Sequence, residues 1–145
     1  MCIIQTDRLI GYSDMIVTDG FIQKPSVIDN CINILSIQKT TGREAGFMFY
    51  DKNNQDTLIC HVAITWQRNR TEVSYGTESL FRNKGYMQEA LNAFLEWFSN
   101  NTKEIKIWAL PNGDESKHIL EKCGFKYFGT VEGTKSSWYV FNICR

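Results

Sequence analysis

The sequence is poor in the residues that mark extracellular, metal-binding and nucleic-acid-binding proteins. Only two of its 145 residues are proline and only two are histidine, and 16 basic residues balance 16 acidic ones to a formal net charge of zero. A neutral chain lacks the broad positive field that recruits nucleic acid or an anionic membrane. We therefore expect neither as a partner.

Neither the cysteines nor the hydrophobic runs of the sequence indicate a secreted protein or a membrane protein. The five cysteines are odd in number, form no C-x-x-C pair and show no metal-ligand spacing, which favours reduced thiols in the cytosol and predicts no metal site. No stretch approaches membrane-spanning length, and the apolar run MCII is too short for a signal peptide. We expect a cytoplasmic protein.

The composition that remains is that of a globular domain. Hydrophobic residues make up 43% and charged residues 22% of the chain. A chain of this length can bury one core, and no repeat, linker or low-complexity tract divides it. We predict a single domain over residues 1–145.

The first half of the chain predicts a meander. A short strand is expected over Thr6–Ile10, followed by a helix that Ser26 caps and that ends at Thr41 and Gly42. The β-rich runs EAGFMFYD and TLICHVAITWQ, separated by a polar turn over Lys52–Asp56, indicate an antiparallel hairpin. TEVSYGTESLF adds a third strand to the meander, with apolar and polar residues alternating.

In the second half of the chain, the spacing of the apolar residues changes from that of a strand to that of a helix. One helical stripe is formed by Met87, Ala90, Leu91, Phe94, Leu95 and Phe98, and this helix should end near Asn100 or Asn101. EIKIWAL predicts a further strand, a helix capped near Asp114 runs through Lys122, and Gly124 ends it. FKYFGTV and SSWYVFNI predict two final strands.

The segment FRNKGYMQEAL is a strand-to-helix junction suited to phosphate. The first amides of a helix lack partners and carry partial positive charge, Gly85 permits close approach, and Arg82 and Lys84 add full charges. The chain contains neither G-x-x-x-x-G-K-[ST] nor G-x-G-x-x-G after a strand. The residues alone leave two readings open: a phosphate site, or solvated charges beside a glycine turn.

A family resemblance bears on this choice. EVSYGTESLFRNKGYMQEAL followed by LEKCGF resembles the GNAT superfamily of acyl-CoA-dependent N-acyltransferases, and most of all the RimJ/RimL-like branch that acetylates N-terminal amines of ribosomal proteins. The interval from Tyr75 to Gly85 and the residues Glu89, Ala90 and Leu91 match that branch. TDRL near the start is also similar to its opening strand. The resemblance covers roughly residues 44–128.

The resemblance implies a fold and a co-substrate. The fold is α+β, with a central, mostly antiparallel mixed sheet of about six to seven strands and helices on both faces. The co-substrate is acetyl-CoA, with its pyrophosphate on the loop from Arg82 to Met87 and its pantetheine arm along the strand at Ser79 to Phe81. The implied binding residues are Ser79, Leu80, Phe81, Arg82, Asn83, Lys84, Gly85, Tyr86, Met87, Gln88 and Asn112.

The resemblance also suggests catalytic groups. Glu72 is the first candidate for the base that deprotonates the amine, with Glu78 and Glu132 as alternatives. Ser116 shares the inward face of its helix and suits a donor to the departing thiolate.

Several positions depart from the family pattern. Met87 stands where Gly or Ala is usual and Asn83 replaces a common Gly; we expect Met87 to point into the core and leave backbone contacts intact. Leu120 occupies the place of a common Tyr acid, and Gly113 that of a common Asn.

Three functions remain open at this stage. The first is an N-acetyltransferase acting on a primary amine, either a protein N-terminus or a small molecule, with a homodimer as one option for its assembly. The second is a GNAT-fold acyl-CoA-binding or interaction module without turnover. The third is a site for another phosphorylated ligand on an unrelated α/β sheet.

Overall fold

A computed structural model of the chain describes residues 3–13, 17–18, 21–22, 45–66 and 70–143. The helices are α1 (Tyr86–Asn101) and α2 (Asp114–Lys122), and one 3-10 turn covers Ser79–Phe81. The strands are β1 (Ile3–Gln5), β2 (Leu9–Ser13), β3 (Val17–Thr18), β4 (Phe21–Ile22), β5 (Ala45–Asp51), β6 (Asn54–Thr65), β7 (Glu72–Thr77), β8 (Lys106–Ala109), β9 (Lys126–Thr130) and β10 (Ser137–Asn142).

Eight of these strands form one sheet. Their order is β1-β2-β5-β6-β7-β8-β10-β9, and β3 pairs with β4 separately. Neighbours in the large sheet are antiparallel except β7 and β8, which are parallel and are connected through α1. The predicted mixed and mostly antiparallel sheet is confirmed, with one strand more than the six to seven expected.

The additional strand arises at the N-terminus. The strand predicted over Thr6–Ile10 is wrong in its first part, because residues 6–8 form the turn between β1 and β2. Thr6 closes this turn: its N–H donates to the Leu9 carbonyl at 2.9 Å, and its Oγ1 accepts from the Leu9 N–H at 3.0 Å. Such local side-chain bonds compete with strand pairing.

The β5–β6 hairpin is confirmed, but its turn is shorter than the predicted Lys52–Asp56. Asp51 pairs with Asn54, so that Lys52 and Asn53 alone make the turn. The Asp51 carboxylate accepts a hydrogen bond from the Asn53 N–H at 2.8 Å, which is how an aspartate starts a tight turn. The polar residues after the turn extend β6.

Helix α1 buries the stripe predicted for it. Its buried residues are Met87, Ala90, Leu91, Phe94, Leu95 and Phe98. The Phe47 ring of the sheet lies 6.0 Å from Phe94 and 4.9 Å from Trp97, both edge-on. Since each buried aromatic side chain contributes about 1.5–3 kcal/mol over an exposed one, this packing fixes α1 against the sheet.

Helix α2 and the strands after it follow the prediction closely. Gly113, rather than Asp114, is the N-cap, and Asp114 lies in the first turn, where a carboxylate interacts favourably with the helix dipole. Gly124 has φ +96°, and the Phe125 N–H donates to the Leu120 carbonyl at 2.9 Å. The predicted glycine stop is confirmed.

One predicted element lies outside the described residues, namely the helix from Ser26 to Thr41 and Gly42. Helices α1 and α2 contribute to one common core. Helices on both faces of the sheet therefore stay a prediction. Of the helices in the described ranges, none is long and apolar enough to cross a bilayer.

Candidate active site

The chain leaves the sheet earlier than predicted. Ser79–Phe81 were expected to end a strand, but the Glu78 N–H makes a bond to the Ile59 carbonyl of β6 at 2.9 Å and the 3-10 turn follows. The Phe81 N–H donates to the Glu78 carbonyl at 2.9 Å. Leu80 is 80% exposed and contributes nothing to the interior. The strand leading to the junction is therefore Glu72–Thr77 alone.

Residues 82–88 present a group of backbone N–H donors. Asn83 (φ +62°) and Gly85 (φ +78°) are left-handed, a conformation that turns successive N–H groups toward one point. Gly85 is the N-cap of α1, and no side chain caps the helix. Within the described part of the chain, the first-turn amides of residues 86–88 have no hydrogen-bond acceptor. Such a helix start binds anions.

A cavity of about 220 Å³ opens between this junction and α2. It is lined by Thr77, Phe81, Arg82, Asn83, Gly85, Tyr86, Met87, Gln88, Glu115, His118, Ile119 and Lys122. Most of the predicted binding residues thus surround one space. Ser79, Leu80 and Lys84 do not line it, and the Lys84 Nζ instead lies 5.8 Å from the centre of the Phe81 ring.

Helix α2 contributes basic residues that the sequence analysis missed. Lys122 brings a positive charge to the lining and His118 an imidazole, while Glu115 brings a carboxylate. A helical spacing of three and four residues puts Glu115, His118 and Lys122 on one face. The pattern was visible in the sequence, but nothing local showed that this face looks toward residues 82–88.

Arg8, which the sequence analysis also missed, joins the β1–β2 turn to the junction. Its Nε donates to Glu89 Oε1 at 2.7 Å, and its Nη1 donates to the Lys84 carbonyl at 3.0 Å. Its guanidinium lies 4.1 Å from the centre of the Tyr86 ring. One side chain therefore contacts the loop, the start of α1 and the first turn of that helix.

The Glu89 carboxylate receives two further hydrogen bonds from the same turn. Thr6 Oγ1 and the Arg8 N–H, the latter at 3.2 Å, donate to its Oε2. Burial raises the pKa of Glu89, but these bonds and the Arg8 charge outweigh burial, and the net pKa is lowered. The ionised carboxylate anchors the N-terminal turn to α1.

Strands β7 and β8 separate directly after they pair. Glu72 is in register with Trp108, and the Trp108 N–H donates to the Thr71 carbonyl at 2.8 Å. Beyond this point a second cavity of about 100 Å³ lies between the strands, lined by Val73, Ser74, Tyr75, Ala109, Leu110, Pro111, Asn112 and Ser116. Residues of β7 and α2 line both cavities. We call the two cavities together, from Asn112 to residues 82–88, the β7–α2 track.

A pair of hydroxyl groups lies at the second cavity. Tyr75 Oη lies 2.8 Å from Ser116 Oγ and 3.2 Å from the Ser116 carbonyl oxygen. Both side chains are half-buried. Ser116, a predicted catalytic residue, lines the second cavity together with Tyr75, which was not among the predicted residues.

The three candidate bases occupy different environments. Glu72 is only 8% exposed and lines neither cavity, whereas Glu78 and Glu132 are exposed. Val73 belongs to the core beneath the helices, so strand alternation places Glu72 on the other face of the sheet. Glu72 and Ser116 therefore lie on opposite faces of the sheet.

A comparison with protein families decides the class. The model of the acetyltransferase (GNAT) domain matches residues 9–126, which include both cavities. The chain belongs to the GNAT acetyltransferase family. It is therefore an acyltransferase by family, and the third hypothesis, an unrelated phosphate-binding sheet, is wrong. No curated protein matches the chain.

Solved structures show the same fold at low sequence identity. The ribosomal-protein-S5-alanine acetyltransferase from Vibrio fischeri has a TM-score of 0.68 at 15% identity and covers 99% of this chain and 97% of its own. The ribosomal L7/L12 α-N-protein acetyltransferase in complex with coenzyme A has a TM-score of 0.69 at 10% identity, and the match covers 97% of this chain and 98% of that one. A spermidine N-acetyltransferase mutant from Vibrio cholerae has a TM-score of 0.63 at 14% identity, and the match covers 94% of this chain and 95% of that one. These likenesses show the GNAT fold.

The structure shows where the residues that depart from the GNAT pattern lie. Met87 is 5% exposed and packs in the core, as predicted, so its size does not obstruct the loop. Leu120 is fully buried, and Gly113 is the N-cap of α2 with no side chain to offer, while the neighbouring Asn112 lines the second cavity. In this GNAT chain, a hydroxyl near the gap comes from Ser116 and Tyr75.

Two buried thiols lie near the GNAT site without being suited to attack. Cys60 and Cys123 are free, and burial raises their pKa to about 12 and about 11. Both are protonated at neutral pH and neither is a nucleophile. Among residues 3–13, 45–66 and 70–143, no group of three His, Cys, Asp or Glu side chains is placed to hold a metal ion.

Proposed function

We propose that the chain is one domain over residues 1–145 that transfers the acetyl group of acetyl-CoA to a primary amine by direct attack in a ternary complex. The observation that carries this proposal is the uncapped start of α1. Its free amides lie at one end of the β7–α2 track, and the Tyr75–Ser116 pair lies at the other end.

The track has the chemistry that coenzyme A requires. Its pyrophosphate would lie on the amides of residues 86–88, with Arg82 and Lys122 supplying positive charge. The pantetheine arm would follow β7 from Thr77 toward Tyr75, where separation from β8 leaves backbone groups open for hydrogen bonds, much as an added strand uses a sheet edge. Asn112 would bind near the thioester end.

The reaction needs a neutral amine and a stabilised leaving group. The neutral amine nitrogen attacks the thioester carbonyl and loses one proton to the base, the C–S bond breaks, and coenzyme A leaves as a thiolate that takes up one proton, so no net proton is released. Glu72 is proposed as the base, acting directly or through water from its face of the sheet. Ser116 is proposed as the hydrogen-bond donor to the thiolate from the opposite face. The protonated thiols of Cys60 and Cys123 support attack without a covalent intermediate on either.

The acceptor is proposed as a primary amine, and its basicity sets the free-energy cost of removing its proton. Neutralising a lysine-like amine of pKa about 10.4 at pH 7 costs roughly 4.6 kcal/mol, whereas an α-amine near 7.7 costs only about 1 kcal/mol. The names of the similar structures span both kinds, a protein N-terminus and spermidine. A protein α-amine or a small-molecule primary amine is therefore the proposed substrate class.

Two measurements test the proposal in sequence. Calorimetry compares coenzyme A, acetyl-CoA and inorganic pyrophosphate; we expect the first two to bind more tightly than pyrophosphate, and equal binding of all three would overturn the assignment. Release of free thiol is then followed with peptides bearing a free α-amine, the same peptides blocked at the N-terminus, and spermidine. Tight acetyl-CoA binding with no thiol release across a broad amine panel would favour the acyl-CoA-binding module without turnover.

A further inference from the structure

The two hydroxyl hydrogens of the Tyr75–Ser116 pair can be arranged in two ways. Tyr75 Oη lies within hydrogen-bond distance of both the Ser116 Oγ (2.8 Å) and the Ser116 carbonyl (3.2 Å), but a phenol has one hydrogen to donate. If the phenol donates its hydrogen to the carbonyl, the serine hydroxyl donates its own hydrogen to the phenol oxygen. If the phenol hydrogen goes to Oγ, the serine hydrogen is free to point elsewhere.

The second arrangement is the one a leaving group needs. A serine in the first turn of a helix otherwise donates to a nearby backbone carbonyl. With Tyr75 donating to Oγ, the Ser116 hydrogen is free to point into the cavity between β7 and β8, which both residues line. The 2.8 Å between Tyr75 Oη and Ser116 Oγ fits a hydrogen bond in either direction, so the phenol hydrogen can turn from the carbonyl to Oγ when a thiolate takes the serine hydrogen.

We infer that Tyr75 is a positioning residue: it donates to Ser116 Oγ and so directs the serine hydrogen to the departing thiolate of coenzyme A. This inference rests on the proposed function. Tyr75 keeps its own proton throughout, so no proton is consumed at the phenol and the thiolate receives a hydrogen bond from Ser116 alone.

The electrostatics of Tyr75 agree with a role as a donor. Burial raises the pKa of its phenol, the hydrogen bond with Ser116 lowers it in part, and the nearby Cys123 raises it. The hydroxyl is therefore protonated at neutral pH. A phenolate would repel the thiolate and could not donate to Ser116.

The test uses the thiol of bound coenzyme A and needs no acceptor. The ultraviolet absorbance of the thiolate is followed against pH in the complex, and the same titration with desulfo-coenzyme A is subtracted. Ser116→Ala should raise the pKa of the bound thiol by about one unit, a tenfold change in its ionisation. Tyr75→Phe should raise it by about half a unit, roughly threefold.

The double variant decides between positioning and direct contact. If Tyr75 acts through Ser116, Tyr75→Phe adds nothing in the Ser116→Ala background, because coupled residues are not additive. A Tyr75→Phe protein with the wild-type thiol pKa would overturn the inference. A shift that persists in the double variant would also overturn it, since Tyr75 would then contact the thiolate itself.

Two controls separate this role from damage to the fold and from failure of the proposed function. Tyr139→Phe removes the hydroxyl of another buried tyrosine that lines neither cavity, and should leave the thiol pKa unchanged. Desulfo-coenzyme A should bind Tyr75→Phe and wild type equally. If wild type binds no coenzyme A at all, the proposed function fails; if it binds and Tyr75→Phe changes nothing, only the positioning role fails.

Discussion

The two ends of the β7–α2 track are built from different parts of the chain. At residues 82–88 the groups offered to a ligand are main-chain amides, held by left-handed residues and an uncapped helix. At the gap between β7 and β8 they are single side-chain atoms, such as the Tyr75 and Ser116 hydroxyls. A main-chain site accepts substitutions that keep the backbone path, as Met87 shows, whereas a side-chain site depends on individual atoms.

The main-chain end nevertheless depends on distant side chains for its shape. Arg8 bonds the Lys84 carbonyl and Glu89, and Thr6 bonds Glu89 from the same turn. The N-terminal turn therefore supports the loop without lining its cavity. One end of the track therefore offers a supported backbone, and the other offers two half-buried hydroxyls.

The largest effect is expected from Gly85→Glu, which breaks the main-chain end. A carboxylate at the start of α1 would repel an anion there, and we expect coenzyme A affinity to fall about 100-fold, or roughly 2.7 kcal/mol. Calorimetry measures the change. Gly133→Glu is the matched control, since Gly133 is also left-handed (φ +77°) and has open space around it. Equal affinity of the two variants would contradict a phosphate site at residues 82–88.

A second variant examines the side-chain end. Leu120→Tyr supplies the residue that the resemblance expects at this place, but Leu120 is fully buried in the core. Overpacking costs about 1–3 kcal/mol, so we expect the free energy of unfolding in urea to fall by about 2 kcal/mol with no gain in thiol release. Leu120→Met keeps the volume and should cost less. A stable Leu120→Tyr protein with faster turnover would show that position 120 reaches the leaving group.

The elements that sequence predicted well are those specified locally. The stripe from Met87 to Phe98 repeats at helical spacing, and Gly124 carries its own stop signal, so both were confirmed. The errors arose where a few local bonds outweigh propensity. The hydrogen bonds between Thr6 and Leu9 make a turn where a strand was predicted. The bond from the Phe81 N–H to the Glu78 carbonyl makes a 3-10 turn of Ser79–Phe81, whose apolar residues had suggested a longer strand.

The site was predictable to the extent that it follows one stretch of chain. The junction from Arg82 to Gln88 could be found from the glycine and the change of period. Arg8, Tyr75 and Lys122 could not be assigned, because each meets its partner only after the sheet brings distant segments together. Burial is also a tertiary property, so the alternation of apolar and polar residues in TEVSYGTESLF did not show that Glu72 is buried.

A third, smaller effect should follow from removing the support of the main-chain end. Arg8→Ala deletes the bonds to Lys84 and Glu89, and we expect coenzyme A affinity to fall about tenfold, or roughly 1.4 kcal/mol. Arg8→Lys should restore only part, because an ammonium lacks the guanidinium fork. Lys52→Ala is the control: Lys52 contacts the same turn through the Thr6 carbonyl. If Arg8→Ala binds as wild type does, the turn does not support the loop.

The smallest effect concerns acid stability of the same support. The folded state lowers the pKa of Glu89, so the unfolded chain takes up the proton first as the pH falls. Glu89 therefore stabilises the fold above the ordinary carboxyl pKa of about 4.3, and this contribution is lost as the pH falls through the lower folded value. Because Arg8 is 42% exposed, we expect less than about 1 kcal/mol.

Urea unfolding of wild type and Glu89→Gln between pH 7 and pH 3 measures this contribution. Wild type should lose more of its unfolding free energy than Glu89→Gln over that range, because the amide cannot titrate and the charge it replaces is the group held by Thr6 and Arg8. Glu96→Gln, an exposed position on the same helix, should behave as wild type. Parallel curves of unfolding free energy against pH for wild type and Glu89→Gln would mean that neutral contacts hold the N-terminal turn on α1. The support of the loop would then depend on the hydrogen bond from Arg8 to the Lys84 carbonyl.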